Sequence, residues 1–304
     1  MRLLRNKTTY TFSPFDLSRL QALSKRVVDI NIEAFTSEYG NILFFMHSGI
    51  DDQAVNTLLQ FYDPEIWCFT LRDYQLAPTF EEYSSLLKIP IKEEVPFVSV
   101  PEEPDFQLIA NTLYLGIREV KEHWSMEKSG AYGIPLKFLA DKADYYANNG
   151  SWVIFIRLVA MMVYGAVLFP DVENLIGLAA ICIFIGRNLV PIILVDTYYA
   201  IHSQHGKRGA VVCCLPLLYK WFLIHLPVKG PFIEIRGTLK WSKRVMDLTS
   251  FDITWANVMH VTEMITSCGE FYNVPLMGTK WCINYNPVLA IHQLGFAFRD
   301  EPKA

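Results

Sequence analysis

The sequence predicts a mainly α, multi-helical globular domain, with short β-ribbons near 66–77 and 273–284. Three observations carry that reading. Apolar residues recur three and four apart through most of the chain, while strict alternation is confined to short runs. A chain of 304 residues, 52% hydrophobic and 14% aromatic, is long and apolar enough to bury a large core. No repeat, heptad or low-complexity tract points to a fibrous or solenoid architecture.

Ser13-Pro14 offers a cap and a first-turn proline, so a helix is expected over 15–28 with Leu17, Leu20, Leu23, Val27 and Val28 as its apolar stripe. A second helix is expected over 33–46, with Gly40 as its weak point. Asp51 can cap a third, whose apolar face is Ala54, Val55, Leu58, Leu59 and Tyr62 and which Asp63-Pro64 ends. Trp67, Phe69 and Leu71 then alternate with Cys68, Thr70 and Arg72, the period of a short strand. Thr79 and Glu82 have the spacing of a capping box, and the helix behind them presents Phe80, Tyr83, Leu86 and Leu87.

Segment 93–104 (EEVPFVSVPEEP) holds three prolines and four acids, so it reads as an extended connector. It divides an N-terminal helical lobe, 1–92, from a larger helical lobe, 105–304; a continuous domain over about 35–298 is the other division the pattern allows. Beyond it, 106–124 reads as two short helices broken at Gly116. Lys128-Ser129-Gly130 and Tyr132-Gly133 read as a loop, and a helix from Pro135 closes at Asn148-Asn149-Gly150. The run 152–169 is apolar over 18 residues, but it contains Arg157 and ends at Pro170. A spanning helix usually needs about 20 apolar residues without a central charge, so this run and 175–185 read as buried core helices.

Pro191 opens a helix through His202, followed by the basic loop His205-Gly206-Lys207-Arg208-Gly209. A helix over 211–226 carries Leu217, Leu218, Trp221, Phe222 and His225, and another is expected over 238–248. Turns, a small ribbon and a final helix after Pro287 complete the expected elements.

The stretch 53–90 carries a family resemblance. Cys68-Phe69-Thr70, Gln75-Leu76, Pro78-Thr79-Phe80-Glu81-Glu82, Leu86-Leu87 and Ile89-Pro90-Ile91 follow one another as in the core of the plant mobile domain family, which this stretch resembles. The chain is also similar to a legume-rich branch of transposon-associated domains of unknown function. That similarity lies in Gly133-Ile134-Pro135-Leu136-Lys137-Phe138-Leu139, Tyr164-Gly165 with Leu168-Phe169-Pro170, Leu194-Val195-Asp196-Thr197-Tyr198-Tyr199 and Cys213-Cys214 through Phe222. Cys268-Gly269-Glu270-Phe271 and Asn284-Tyr285-Asn286-Pro287 extend it, so it covers about 35–298, and the order of the motifs carries it. The resemblance implies a non-enzymatic, mobile-element-derived interaction module of the nucleus. The aminotransferase label attached to some plant mobile domains is not carried over, because no local motif singles out a cofactor-linked lysine.

The net charge of −4 argues against a surface that coats nucleic acid, and a charged fraction of only 19% implies deep burial or apolar surface awaiting a partner. The six cysteines, Cys68, Cys182, Cys213, Cys214, Cys268 and Cys282, contain no Cys-x-x-Cys and read as reduced core thiols of an intracellular protein. The basic start, Met1 to Lys7, lacks the apolar core of a secretory leader.

Candidate chemistry is sparse. His202 and His205 with Asp196 upstream are too few ligands for a complete metal site. Asp171, Glu173 and Asp196 could form a transposase-like acidic triad, but two of them sit where helix-start acids complement the dipole. No phosphate loop or nucleophile turn is present, and Cys213-Cys214 and Cys268 default to inert core thiols. The expectation is therefore no enzyme, no cofactor, no metal site and no membrane, with a protein partner. A nuclease-like remnant with scattered carboxylates is the alternative. The one positive face is Lys240, Lys243 and Arg244, with Trp241 able to stack on a base, and it is the candidate nucleic-acid contact.

Overall fold

A computed structural model of the chain describes residues 10–12, 15–90, 100–126, 130–207, 209–234, 240–255 and 274–285. The expected helix start at Ser13-Pro14, segment 93–99 of the connector, Cys268 and the helix after Pro287 lie outside these residues. The architecture is mainly α, with small sheets between the helices.

Strand β1 (Thr11–Phe12) leads into α1 (Ser18–Tyr39), which runs through both helices expected before residue 46. It bends at Asn31, whose backbone is extended (φ −166°, ψ 80°), and stops at Gly40. Gly40 has φ +71°, and a Cβ there would collide with the Leu87 carbonyl and the Ile89 side chain. The chain can cross the end of the motif helix only because Gly40 has no side chain. α2 (Ile42–His47) restarts beyond it.

α3 (Asp52–Leu59) begins as expected, with the Asp51 carboxylate accepting the Gln53 and Ala54 N–H groups. It ends a turn before Asp63-Pro64. Tyr62 belongs instead to β2 (Tyr62–Asp63), antiparallel to β3 (Cys68–Thr70), which pairs in turn with β4 (Gln75–Leu76). The ribbon expected near 66–77 is therefore a three-stranded sheet. α4 (Phe80–Leu87) carries the full capping box: Glu82 N–H donates to Thr79 Oγ1, and Thr79 N–H donates to Glu82 Oε2.

α5 (Phe106–Leu113) and α6 (Ile117–His123) are separated at Gly116, as expected. The expected loop through Tyr132-Gly133 is corrected. β5 (Ser125–Met126), β6 (Tyr132–Pro135) and β7 (Leu175–Gly177) form an antiparallel sheet in which Gly133 faces both Ser125 and Gly177. A Cβ on Gly133 would strike the Ile176 carbonyl, so glycine here serves close backbone approach rather than a turn. The partner strand lies across two helices in sequence, where local periodicity does not reach.

α7 (Leu136–Asn148) packs against α8 (Trp152–Val163), which passes into a π-helical turn, Tyr164–Leu168. α9 (Leu178–Gly186) and α10 (Leu189–Gln204) follow, then β8 (Ala210–Val211), which pairs in parallel with β1. α11 (Leu215–His225), the short α12 (Pro231–Glu234) and α13 (Trp241–Met246) precede the hairpin of β9 (Val274–Met277) and β10 (Cys282–Tyr285). That hairpin is the second expected ribbon.

Phe155, Leu158, Val159 and Met162 of α8 are fully buried, and each such side chain contributes roughly 1.5–3 kcal/mol of burial free energy. α8 packs on α1 and α7, α10 on α4, and α11 on α3 and α4. Buried residues from both expected lobes, from Tyr10 to Tyr285, belong to one hydrophobic cluster. Among the described residues no helix is long and apolar enough to cross a membrane. Arg157, the charge inside the apolar run, reaches the edge of the core, where Nη2 donates to Glu38 and Nη1 to the Thr112 carbonyl.

Candidate functional site

The Pro78-Thr79-Phe80-Glu81-Glu82 stretch is a buried polar hub. Glu81 and Glu82 are 1% and 0% exposed, a location that ionisable side chains occupy only with partners. Trp221 Nε1 donates to Glu82 Oε2 at 2.7 Å, and His225 Nε2 lies 3.2 Å from Glu82 Oε1. Trp221 and His225 are one turn apart on α11, so both reach the same carboxylate. Tyr285 of β10 donates to Glu81 Oε2 at 2.8 Å and accepts the Phe80 N–H at 3.2 Å. Tyr198 of α10 donates to the Pro78 carbonyl at 2.9 Å. One short stretch thus joins α4, α10, α11 and the hairpin.

His225 Nδ1 lies 3.1 Å from the Thr254 carbonyl, an acceptor only, so Nδ1 carries hydrogen. Nε2 sits beside the Glu82 carboxylate without completing a hydrogen bond to it, and both side chains are closed to water.

α10 also forms the wall of a large cleft, about 720 Å³. Asp196, Tyr199, Ala200 and Ser203 fall on that face by helical spacing, while Tyr198 and His202 point to the hub side. The tip of the β9–β10 hairpin closes one end of the cleft. Asp196 Oδ1 accepts the Thr279 N–H at 2.8 Å and Oδ2 accepts Thr279 Oγ1–H at 2.7 Å. Lys280 pairs with Asp171 at 2.6 Å, and Trp281 leans on Tyr199 with ring centroids 5.6 Å apart. Burial raises the Asp196 pKa above the usual carboxylate value, against the Thr279 hydrogen bonds, which lower it.

The acidic trio is divided. Asp171 and Asp196 line the cleft, each engaged as described, while the exposed Glu173 does not line it. Among the described residues, no group of three or more His, Cys, Asp or Glu side chains is placed to hold a metal ion. His202 stacks face to face on Trp67, 4.3 Å between centroids, and its Nδ1 lies 3.4 Å from the Tyr62 hydroxyl. Burial, then the nearby His205 and Lys207, lowers the His202 pKa, so it is neutral at physiological pH. Asp196 and His202 are six residues apart, about one and two-thirds turns, which puts them on different sides of α10.

Cys213 and Cys214 are buried, and burial raises both thiols, Cys214 to about 12. A thiol held that high is a packing group rather than a nucleophile. Cys282 corrects the reading of all six cysteines as core thiols, because it is exposed on β10. Its neighbours in the strand alternate across a hairpin of which one side faces solvent.

The candidate nucleic-acid residues are separated by burial. Lys240 and Lys243 are exposed, whereas Trp241 and Arg244 are only 9% and 3% exposed. Trp241 Nε1 donates to the cap residue Asp51 at 2.7 Å. Arg244 donates through Nε and Nη2 to the Phe232 carbonyl and lies over the Phe232 and Trp241 rings at 4.2 and 4.4 Å. Tryptophan and arginine therefore tie α13 to α3 and α12, leaving the two lysines at the surface.

Sequence reasoning found the capping box but not the second use of its glutamate. The available signal was Trp221 and His225, two polar-tipped side chains one turn apart on an apolar helix, which need a buried partner. Thr279 and Tyr285 carried no local signal.

No curated protein and no solved structure matches the chain. One family model, described as a domain of unknown function (DUF7745), matches residues 20–304, and the chain belongs to that family.

Proposed function

We propose that this chain is a non-enzymatic interaction module, derived from a mobile element and acting in the nucleus, whose large cleft receives a segment of a partner protein. The observation that carries the reading is the engagement of the cleft carboxylates. Asp196 holds Thr279 and Asp171 holds Lys280, so both acids pin the hairpin tip rather than converge on an empty centre. Two-metal phosphoryl chemistry needs carboxylates free to bridge ions about 3.5–4 Å apart. The order of motifs shared with plant mobile domains and their transposon-associated relatives supports the lineage and the nuclear setting. A protein partner fits better than nucleic acid, since the net charge is −4 and Arg244 is buried.

The competing reading is a nuclease-like remnant. Calorimetric titration with Mn²⁺ and Mg²⁺, alongside cleavage of a labelled duplex, separates the two. The module reading expects no heat of binding and no cleavage in either metal. Metal-dependent cleavage that disappears in Asp196→Asn would establish the enzyme instead.

A further inference from the structure

A second cavity, about 370 Å³, opens where the ends of α1, α4 and α9 meet beside α8. Among the described residues its charged lining is unbalanced: Arg157, Arg187 and Lys88 face one carboxylate, Glu38. Glu38 Oε1 already accepts from both guanidinium groups, Arg157 Nη2 at 3.0 Å and Arg187 Nη2 at 2.9 Å. Lys88 makes no ion pair among the described residues.

The bland reading is that these cations answer the carbonyls at the helix ends. Several of those carbonyls are already taken by backbone N–H groups. Leu87 O accepts from Asn41, Ser84 O from Ile89, and Ile183 O from Arg187. Among the described residues, Arg157 Nη1 is the cationic donor matched to a helix-end carbonyl, that of Thr112. The Arg157 guanidinium is also engaged by the Tyr39 hydroxyl, and its Nε is shut off from the cavity by burial. Among the described residues, Lys88 and the remaining Arg187 donors make no side-chain hydrogen bond at the cavity mouth.

We propose that this cavity binds a phosphate group, with Arg187 and Lys88 at its mouth and Arg157 beneath. The planar guanidinium forks supply paired donors that match phosphate oxygens, and the lysine adds a point charge. The site is independent of the cleft assigned to the protein partner, and neither reading needs the other.

Thermal unfolding in sodium phosphate against sodium chloride at matched ionic strength tests it, followed by calorimetric titration with inorganic phosphate. The wild-type chain should show a saturable rise in Tm with phosphate alone. Arg187→Gln should weaken phosphate binding by at least about tenfold, because it removes a charge-assisted donor pair. Arg187 is half exposed and Glu38 keeps Arg157, so that variant retains its fold, which circular dichroism checks. Lys88→Gln provides a second variant expected to weaken binding, and Lys137→Gln, remote and exposed, should change nothing. Adenosine 5′-monophosphate distinguishes sources: equal affinity marks a site for the free anion, tighter binding a group carried on a larger ligand. A phosphate response absent in the wild type, or identical in wild type and Arg187→Gln, overturns the proposal.

Discussion

Trp221 Nε1 and Glu82 Oε2 meet at 2.7 Å in the interior, joining α11 to the capping box that starts α4. The same carboxylate therefore serves a local purpose, closing a helix end, and a tertiary one, binding a tryptophan with a histidine beside it.

Removing that carboxylate should be severe. Glu82→Ala leaves the buried Trp221 Nε1–H without an acceptor and opens the capping box; an unsatisfied buried donor costs about 1–3 kcal/mol and a lost cap about 0.5–2 kcal/mol. Glu82→Gln keeps an acceptor for Trp221 and should cost less. Urea unfolding followed by tryptophan fluorescence measures both; an alanine variant within about 0.5 kcal/mol of wild type, the scatter of surface changes, would refute the hub.

Asp196 gives a pH dependence of definite sign. Its folded-state pKa is raised by burial, so the native state holds a proton that the unfolded chain has lost between the ordinary value of 3.8 and the raised one. Stability contributed by this group is present below that window and is lost as pH rises through the raised pKa. Asp196→Asn, which keeps an acceptor for Thr279, should therefore be neutral or stabilising at pH 7 and lose its advantage as the solution is acidified. Unfolding free energies of the two proteins across pH 4–7 check this, and a gap that widens on acidification contradicts it.

Thiol chemistry should follow exposure. Cys282 should react with a thiol reagent in the folded protein well before Cys68, Cys213 or Cys214, which burial shields and whose pKa values it raises. Peptide mapping after brief alkylation reads the order. Early modification of Cys213 or Cys214 would mean that α11 opens locally.

Arg244 and its lysine neighbours should differ. Arg244→Ala breaks two bonds to the Phe232 carbonyl and two ring contacts, for an expected loss of about 2–4 kcal/mol. Lys240→Ala with Lys243→Ala should leave stability unchanged. If the two lysines touch phosphates, that pair should flatten the salt dependence of nucleic-acid binding by about one charge unit per lost contact. An unchanged slope excludes this surface.

The sequence by itself determined the helical class, the capped start of α3, the capping box of α4, the break at Gly116 and the two ribbons. Each is written in neighbouring residues: a carboxylate beside free N–H groups, a spacing of three or four, a glycine between periodic runs. Only the tertiary structure decided what those residues do beyond their own element. Gly133 looked like a turn because its strand partner, Gly177, lies beyond two helices. Lys240, Trp241, Lys243 and Arg244 looked like one basic face, yet helix packing turned the tryptophan and arginine inward. Glu81 and Glu82 meet Tyr285 and Trp221 from distant segments, because a buried carboxylate is satisfied by whichever donors the fold brings within about 3 Å. Short-range rules describe how a segment starts and stops; desolvation decides which of its polar groups must find partners far along the chain.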